Sequence, residues 1–260
     1  MSALTWKRGL GLLLGGRQMA RRDVILIYHS VAGADLSIPE LQFVEQMAWL
    51  RGNASVVTLD ELLASSNPGG LRVVLSFDDG YCTLHDTIHP ILATHGFPAI
   101  VYLNSGLMGE HKRLPSNSEL GHYPDEHFLT WGDAANLVGH GWAAGAHGVD
   151  HIDLTESSAE ETHRQLVDCK AQIEATLGVS CVHFAYTWGH YSPRVRAAVA
   201  AAGFRSAVAG LHGPVTQTSD RYALPRVDIR ADYELRDFIS VVTGRWDFLG
   251  LKQRLARMLP

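Results

Sequence analysis

The chain has 260 residues, of which 46% are hydrophobic and 19% are charged, and its formal net charge is -5. This length and composition are those of a globular protein with one large α/β domain or two small ones. The acidic balance gives no general case for binding nucleic acid. Three cysteines without a CxxC pair argue against a disulfide framework and favour a reducing compartment, so we expect a cytoplasmic protein.

The first 22 residues form a basic segment without any acidic residue. Its cations are Lys7, Arg8, Arg17, Arg21 and Arg22. The apolar core, residues 10–14, is too short to span a membrane, and arginines rather than a signal-peptidase site follow it. We therefore expect residues 1–22 to form either a helix packed on the domain or a basic arm that touches an anionic membrane surface, peripherally at the inner face.

After this segment, apolar strands alternate with helices. The predicted strands are residues 23–30, 55–60, 71–77, 97–104, 142–148, 181–186, 204–210 and 222–229. The predicted helices are residues 39–52, 83–96, 130–141, 155–178, 192–203, 232–243 and 246–258. Pro90 is expected to kink or restart the second of these helices. Ser158 and Glu161 suggest a capping box near the start of the fourth, which Gly178 ends.

This alternation indicates a mainly parallel sheet that is buried on both faces. A closed barrel competes with an open doubly wound sheet, and the absence of a GxGxxG after the first strand weighs against a dinucleotide-binding open sheet. No Gly/Ser/Pro-rich linker divides the chain, so we predict one domain over residues 23–260. Residues 105–130 are predicted to form a long loop that shapes a substrate groove. In either architecture, ligands bind at the C-terminal ends of the strands.

Acids and histidines follow the predicted strands. Asp78 and Asp79 are adjacent, which costs free energy unless a cation binds there. His147 and His151 are four residues apart, a spacing that places two imidazoles on one face of a helical turn. Two histidines and a carboxylate suit Zn²⁺ or another divalent first-row ion such as Co²⁺ or Ni²⁺, whereas Mg²⁺ prefers oxygen ligands. We predict a metal site in which one acid binds the ion and the other takes a proton from water.

These motifs, in this order, resemble those of the polysaccharide deacetylases, the NodB-homology or fourth carbohydrate-esterase family. The stretch "SFDDG" is similar to the family's TFDDG motif, "GAHGVDHIDLT" to its second motif, and "FAYTWG" to the FAYPYG form of its third. The segments "LIYHSV" and "YALPRVDI" resemble the YHxV and LPR segments of bacterial members tied to exopolysaccharide synthesis. The resemblance runs from about residue 24 to residue 230.

The resemblance implies an irregular (β/α)₇ barrel, the TIM-like NodB-homology fold. It implies metal-dependent hydrolysis of an N-acetyl, or sometimes O-acetyl, group on a sugar polymer or glycan precursor. By the same resemblance, Asp78 would be the general base, and Asp79, His147 and His151 would be the metal ligands. The backbone N–H of Trp188 would help to hold the oxyanion.

Four further residues are candidates for the site. Tyr186 and Trp188 could stack on sugar rings or could pack in the core. His29 is either a residue that supports the metal ligands, which we favour, or a buried hydrogen-bonding residue. Arg226 could pair with Asp78 from another strand, because the arginine found in another form of the third motif is absent here.

Three features depart from the family pattern. Gly148 stands where a Ser or Thr usually follows the first metal histidine, so a supporting hydrogen bond is expected to be lost. Thr187 stands in place of Pro, which predicts a looser loop. The family's late histidine, its general acid, has no clear counterpart, although His183, His190 and His212 lie in the region. An ester substrate would tolerate a missing acid better than an amide would.

Two alternatives to a deacetylase of acetylated glycans stay open. The same metal centre could serve a deformylase or amidase that acts on a small or lipid-linked sugar. Alternatively, the chain could be a catalytically weak glycan-binding module on the same fold.

Overall fold

The computed structural model describes residues 3–14, 21–33, 37–109, 126–251 and 253. Strands and helices alternate along these residues. The strands are β1 (Arg21–Tyr28), β2 (Ser55–Val56), β3 (Gly70–Phe77), β4 (Ile100–Leu103), β5 (Ala143–Ala146), β6 (His183–Ala185), β7 (Ser206–His212) and β8 (Leu224–Asp228). The α-helices are α1 (Ala3–Leu14), α2 (Glu40–Asn53), α3 (Leu59–Ala64), α4 (His89–His95), α5 (Trp131–Gly139), α6 (Ala159–Leu177), α7 (Pro193–Ala201) and α8 (Leu235–Val242). A π-helical turn lies at Leu84–Ile88 and a 3₁₀ turn at Thr187–Gly189, and residues 248–251 are also helical.

The strands close into a parallel barrel. Its order is β1, β8, β7, β6, β5, β4 and β3, and β3 pairs again with β1. The closing pair runs in register from Arg21 opposite Gly70 to Tyr28 opposite Phe77. The short β2 pairs with the first half of β3, and β4 pairs with the second half of β3. The seven-stranded barrel with surrounding helices confirms the predicted (β/α)₇ fold.

The core has two layers. Side chains of alternate strand positions fill the barrel interior, namely Ile25, Val74, Ile100, Tyr102, Ala185, Val208 and Leu224. The larger layer lies between the barrel and its helices and includes Phe43, Phe77 and Phe184. Because both faces of each strand are buried, the strands are continuous apolar runs in the sequence. This burial leaves the strand ends as the places where polar side chains collect.

One predicted strand and one predicted capping box differ from the structure. The strand predicted over residues 55–60 ends at Val56, because Thr58 and Glu61 form a capping box that starts α3. Ser158 does cap α6, accepting a hydrogen bond from the N–H of Glu161 at 3.1 Å. The side chain of Glu161 instead accepts from Arg164 and Gln165 on its own helix, so the reciprocal half of the predicted box is absent.

The helix predicted over residues 83–96 is interrupted near the expected place. It begins as the π-helical turn and continues as α4 from His89, with Pro90 in the first turn of α4. Pro is tolerated there because the first N–H groups of a helix have no intrahelical partner. Gly96 ends the helix in the left-handed conformation, with φ of 66°.

The basic N-terminal segment includes α1, which packs on the C-terminal part of the chain. The Trp6 ring lies edge-on to Phe248 at 5.9 Å, and Arg8 donates two hydrogen bonds to Asp237 at 2.7 and 2.5 Å. These contacts correspond to the alternative in which the segment forms a helix packed on the domain. The predicted domain boundary after residue 22 falls inside β1. Membrane contact through this segment stays a prediction. Within the described ranges, no helix has the length and hydropathy needed to cross a membrane.

Candidate active site

The polar residues singled out in the sequence meet at one end of the barrel. His29, Asp78 and His147 each follow the last residue of a strand, β1, β3 and β5 respectively. Trp188 lies in the 3₁₀ turn after β6, and Arg226 lies in β8. The ends of parallel strands in a barrel open on the same face, which is where such folds place their catalytic groups.

The turn after β3 directs both acids into one cleft. Asp79 has a left-handed backbone with φ of 70°, and Gly80 follows with φ of 75°. A Cβ on Gly80 would lie 2.9 Å from Leu103, so both the backbone conformation and the available space require glycine. The N–H of Leu129 donates to the Gly80 carbonyl at 2.8 Å and holds the turn. The left-handed Asp79 breaks the alternation of the strand, so its side chain can face the same cleft as that of Asp78.

Asp79, His147 and His151 form a buried group that could hold a metal ion. Asp79 Oδ1 lies 3.3 Å from His147 Nε2 and 3.2 Å from His151 Nε2, and it accepts no hydrogen bond within the described part of the chain. The Ala185 carbonyl lies 2.8 Å from His147 Nδ1, so that nitrogen carries the proton and Nε2 presents a lone pair. An unpaired carboxylate oxygen facing imidazole nitrogens suits a divalent cation, and the residues therefore fit the predicted ion.

The segment from His147 to His151 is not the helical turn that the spacing suggested. Gly148 has φ of 90° and His151 has φ of 55°, so two left-handed residues bend the segment into an irregular turn. This bend brings the two imidazole rings to 5.0 Å, at 65° to one another. The two rings approach Asp79 through loop geometry rather than through one face of a helix.

Asp78 forms a buried ion pair with Arg226. The guanidinium donates from Nη1 to Oδ1 at 2.7 Å and from Nη2 to Oδ2 at 2.8 Å. The Tyr102 ring in the barrel interior lies 5.9 Å from the guanidinium carbon. The pairing suggested in the sequence between two distant segments is therefore present in the structure. A bidentate arginine leaves each carboxylate oxygen a further lone pair, so Asp78 can still accept a proton.

The charges around the two acids keep both of them ionised. Burial raises the pKa of Asp78, but the charges of Arg226 and His147 outweigh burial and leave the pKa below its usual value. Burial also raises the pKa of Asp79, but His151 and His147 hold this pKa well below its usual range. Conversely, burial lowers the pKa of His147, while the two carboxylates raise it more, so its net pKa is above the usual value.

His29 lies close enough to act on both acids. It follows β1, is half-buried, and its charge lowers the pKa of Asp78 and that of Asp79. His29 is thus a histidine beside the two acids that is not in the candidate metal group.

The three histidines named in the sequence for the general acid lie in different environments. His183 lies at the start of β6, where it contacts Ser206 at 2.8 Å and Asp60 at 3.3 Å. His212 is buried, and its backbone N–H donates to Gln253 Oε1 at 2.7 Å. Its imidazole Nε2 has no hydrogen-bond partner among the described residues, and the charged residues near the ring include Asp247. His190 is exposed and pairs with Asp153 at 2.7 Å on the rim of the cleft. None of these contacts includes a member of the metal group.

The two aromatic candidates occupy different environments. Tyr186 is fully buried, its ring stacks on Tyr191 at 5.3 Å, and its hydroxyl donates to the Tyr222 carbonyl at 2.9 Å. Burial of Tyr186 leaves it no surface for stacking on a sugar, and we assign it to the core. Trp188 is 39% exposed, and its ring lies edge-on to His151 at 4.9 Å. Trp188 therefore forms part of the wall of the cleft.

The substitution of Thr187 for Pro does not loosen the third motif. Thr187 is buried, and its hydroxyl donates to the carbonyl of Ile152, in the loop that follows His151. The His190–Asp153 pair joins the same two loops a second time. The expected looser loop is therefore wrong, because side-chain hydrogen bonds supply the restraint. Nothing in the local sequence around Thr187 indicates its partner, which lies 35 residues away.

The family model of the polysaccharide deacetylases matches residues 65–207. This chain belongs to the polysaccharide deacetylase family. A Bacillus subtilis (strain 168) protein provisionally named polysaccharide deacetylase YxkH is 25% identical over 211 residues, which are 79% of this chain and 70% of that protein.

Solved deacetylase structures share the barrel. The deacetylase PplD from Streptococcus pyogenes, solved in complex with acetate, matches with a TM-score of 0.72 and 19% identity, over 86% of this chain and 99% of that one. IcaB from Ammonifex degensii also gives 0.72, with 20% identity, over 88% and 98% of the two chains. At such identities the likeness concerns the fold. In this polysaccharide deacetylase, a hydrolase, the matched region includes both acids and both histidines of the cleft.

Proposed function

We propose that this protein is a metal-dependent deacetylase that removes N-acetyl or O-acetyl groups from a polysaccharide or a glycan precursor. The observation that supports this best is the position of Asp79 Oδ1, 3.3 and 3.2 Å from two histidine nitrogens and next to the arginine-paired Asp78. Asp79, His147 and His151 would hold Zn²⁺, or Co²⁺ or Ni²⁺ in its place. Such an ion, when bound, would act as a Lewis acid on the acyl carbonyl and on the attacking water.

Asp78 is the proposed general base. It is buried and ionised beside the metal group, with Oδ2 lying 4.0 Å from His147 Nε2. Asp78 takes a proton as the water oxygen attacks the acyl carbon. Arg226 holds the carboxylate by both oxygens and keeps it charged, so the base is oriented and deprotonated before substrate arrives.

His29 is the proposed proton donor to the leaving group. When the carbon–nitrogen or carbon–oxygen bond of the acyl group breaks, the departing atom needs a proton, which a positioned histidine can supply. The location of His29 directly after β1, where its charge acts on both acids, supports this role. Loss of such a donor typically costs about 10²–10⁴-fold in rate.

Trp188 is proposed to contact the substrate with its ring and with its backbone. The two hydrogen bonds of its 3₁₀ turn are donated by the N–H groups of Gly189 and His190, at 2.8 and 3.0 Å, rather than by that of Trp188. This N–H is thus the candidate donor to the oxyanion. The exposed indole can stack on a sugar ring at the mouth of the cleft.

The resemblance of "LIYHSV" and "YALPRVDI" to segments of exopolysaccharide-associated deacetylases favours an exopolysaccharide as the glycan. The test is a panel of acetylated chito-oligosaccharides, acetylated exopolysaccharide and formylated sugars, scored for released acetate or formate. Metal-stripped protein and Asp78→Asn serve as controls. We expect acetate release that requires a divalent ion and falls at least a hundredfold in Asp78→Asn.

Other outcomes would favour the alternatives. Release of formate alone would indicate the deformylase. Glycan affinity without turnover, unchanged in Asp78→Asn, would indicate a binding module. Purified protein without stoichiometric Zn²⁺, Co²⁺ or Ni²⁺, and with no affinity for these ions, would contradict the metal-dependent reaction.

A further inference from the structure

The two histidines of the metal group are oriented in different ways. His147 Nδ1 donates to the Ala185 carbonyl at 2.8 Å, which fixes both the tautomer and the ring direction. His151 Nδ1 is buried and has no hydrogen-bond partner among the described protein atoms. The direction of the His151 ring therefore depends on the backbone that carries it, and His151 has an unfavourable φ of 55°.

Gln165, on α6, holds that backbone. Its Oε1 accepts hydrogen bonds from the N–H groups of Val149 at 2.6 Å and Asp150 at 3.0 Å, the two residues immediately before His151. Its Nε2 donates to Asp150 Oδ2 and to Glu161 Oε1, both at 2.8 Å. Gln165 itself is fully buried, so its amide depends on these partners for its hydrogen bonds.

Gly148 makes room for this contact. A Cβ at position 148 would lie 2.9 Å from Gln165 Oε1, and the φ of 90° at this residue disfavours any side chain. The residue after His147 therefore cannot carry a hydroxyl of its own without displacing the glutamine. The supporting hydrogen bonds expected to be lost at Gly148 are supplied from α6, 17 residues further along the chain.

We propose that Gln165 is a positioning residue that sets the affinity of this site for a divalent metal ion, by holding the turn that carries His151. The proposal rests on the proposed metal-dependent function. It explains why a metal site of this family can combine a glycine after its first histidine with an unsupported second histidine. Removal of groups that orient metal ligands typically lowers metal affinity about 10–100-fold.

The test compares two substitutions that separate metal affinity from folding. Gln165→Met keeps the volume but removes the acceptor of the two N–H groups. Gln165→Glu keeps this acceptor but places a third carboxylate beside Asp150 and Glu161, which should destabilise the fold. Thr162→Val is the matched control, because Thr162 is also buried on α6 and bonds to Ser158 and Arg194 rather than to the turn.

The measurement is the Kd of each metal-free full-length protein for Zn²⁺, by competition with a chelator, together with its thermal unfolding. We expect Gln165→Met to bind at least tenfold more weakly, and Gln165→Glu and Thr162→Val to stay within about threefold of the parent, with Gln165→Glu unfolding at a lower temperature. Gln165→Met within threefold of the parent would overturn the proposal, as would equal losses in Gln165→Met and Thr162→Val. If the parent protein itself binds no Zn²⁺, Co²⁺ or Ni²⁺, the proposed function fails instead.

Discussion

Replacing Arg226 by Met is the most informative perturbation of Asp78, the proposed catalytic base. The substitution removes two hydrogen bonds of 2.7 and 2.8 Å to Asp78 and leaves that carboxylate buried, with 3% of its side chain exposed. Breaking a buried ion pair by removing one partner costs about 3–5 kcal/mol, because the remaining charge has neither water nor a partner. We expect the free energy of unfolding at neutral pH to fall by about this amount.

The pH dependence of the loss follows from the burial of Asp78. In the parent protein, Arg226 holds the pKa of Asp78 below 3.8, so the pair stabilises the fold above this pH and the stabilisation is lost on acidification. Without Arg226, burial dominates and raises the pKa of Asp78 above its usual value. Protonation then becomes favourable in the folded state, so the deficit in stability should shrink as the pH is lowered from 7.5 to 5. The acidic limb of the kcat/KM profile should move to higher pH, since the base must be ionised.

Urea unfolding at both pH values and a pH profile of acetate release test these expectations. Arg72→Met is the matched control, because Arg72 pairs with Asp23 through bonds of 2.9 and 2.6 Å between the first halves of β3 and β1. Arg72→Met should lower stability and leave the pH profile in place. A loss below about 1 kcal/mol in Arg226→Met, together with an unmoved acidic limb, would refute the assignment of this pair.

Three further outcomes are expected. Trp188→Ala should raise KM for an acetylated oligosaccharide by about tenfold, because loss of the ring contact removes about 1.4 kcal/mol of binding free energy. A fall in kcat at constant KM would contradict the stacking role. Burial lowers the pKa of His212 from 6.5 to about 4, so this residue destabilises the fold as the pH falls from 6.5 towards 4. Between pH 7 and pH 5, the free energy of unfolding of His212→Gln, measured in urea, should therefore fall by about 2 kcal/mol less than that of the parent. The exposed His163→Gln is the control and should not show this difference. Burial lowers the pKa of His147, but Asp78 and Asp79 raise it more, so protons compete with a metal ion for this histidine. The Zn²⁺ affinity, measured by chelator competition, should therefore fall from pH 8 to pH 6. A constant affinity would show that His147 is not a ligand.

The local sequence was sufficient to predict a mainly parallel sheet with helices, because strands buried on both faces are apolar runs and the helices have clear caps. The closed barrel followed only from the resemblance to the family. The predictions that proved wrong were those in which a second local signal overrode the pattern that was read. Residues 57–60 continue an apolar pattern, but the Thr58–Glu61 capping box starts a helix there. The HxxxH spacing fits a helical turn, yet left-handed backbone at Gly148 and His151 replaces it with a loop.

By itself, the sequence identified the candidate groups of the site: two acids after a strand, two histidines four residues apart, and a tryptophan in the third motif. These signals are short and local, so they could be recognised before any contact was known. Only the tertiary structure decided how those groups are held. Gln165 bonds to the turn before His151, and Thr187 bonds to the loop that follows His151. Such contacts depend on which segments the closed barrel brings together, and no local pattern of residues records that.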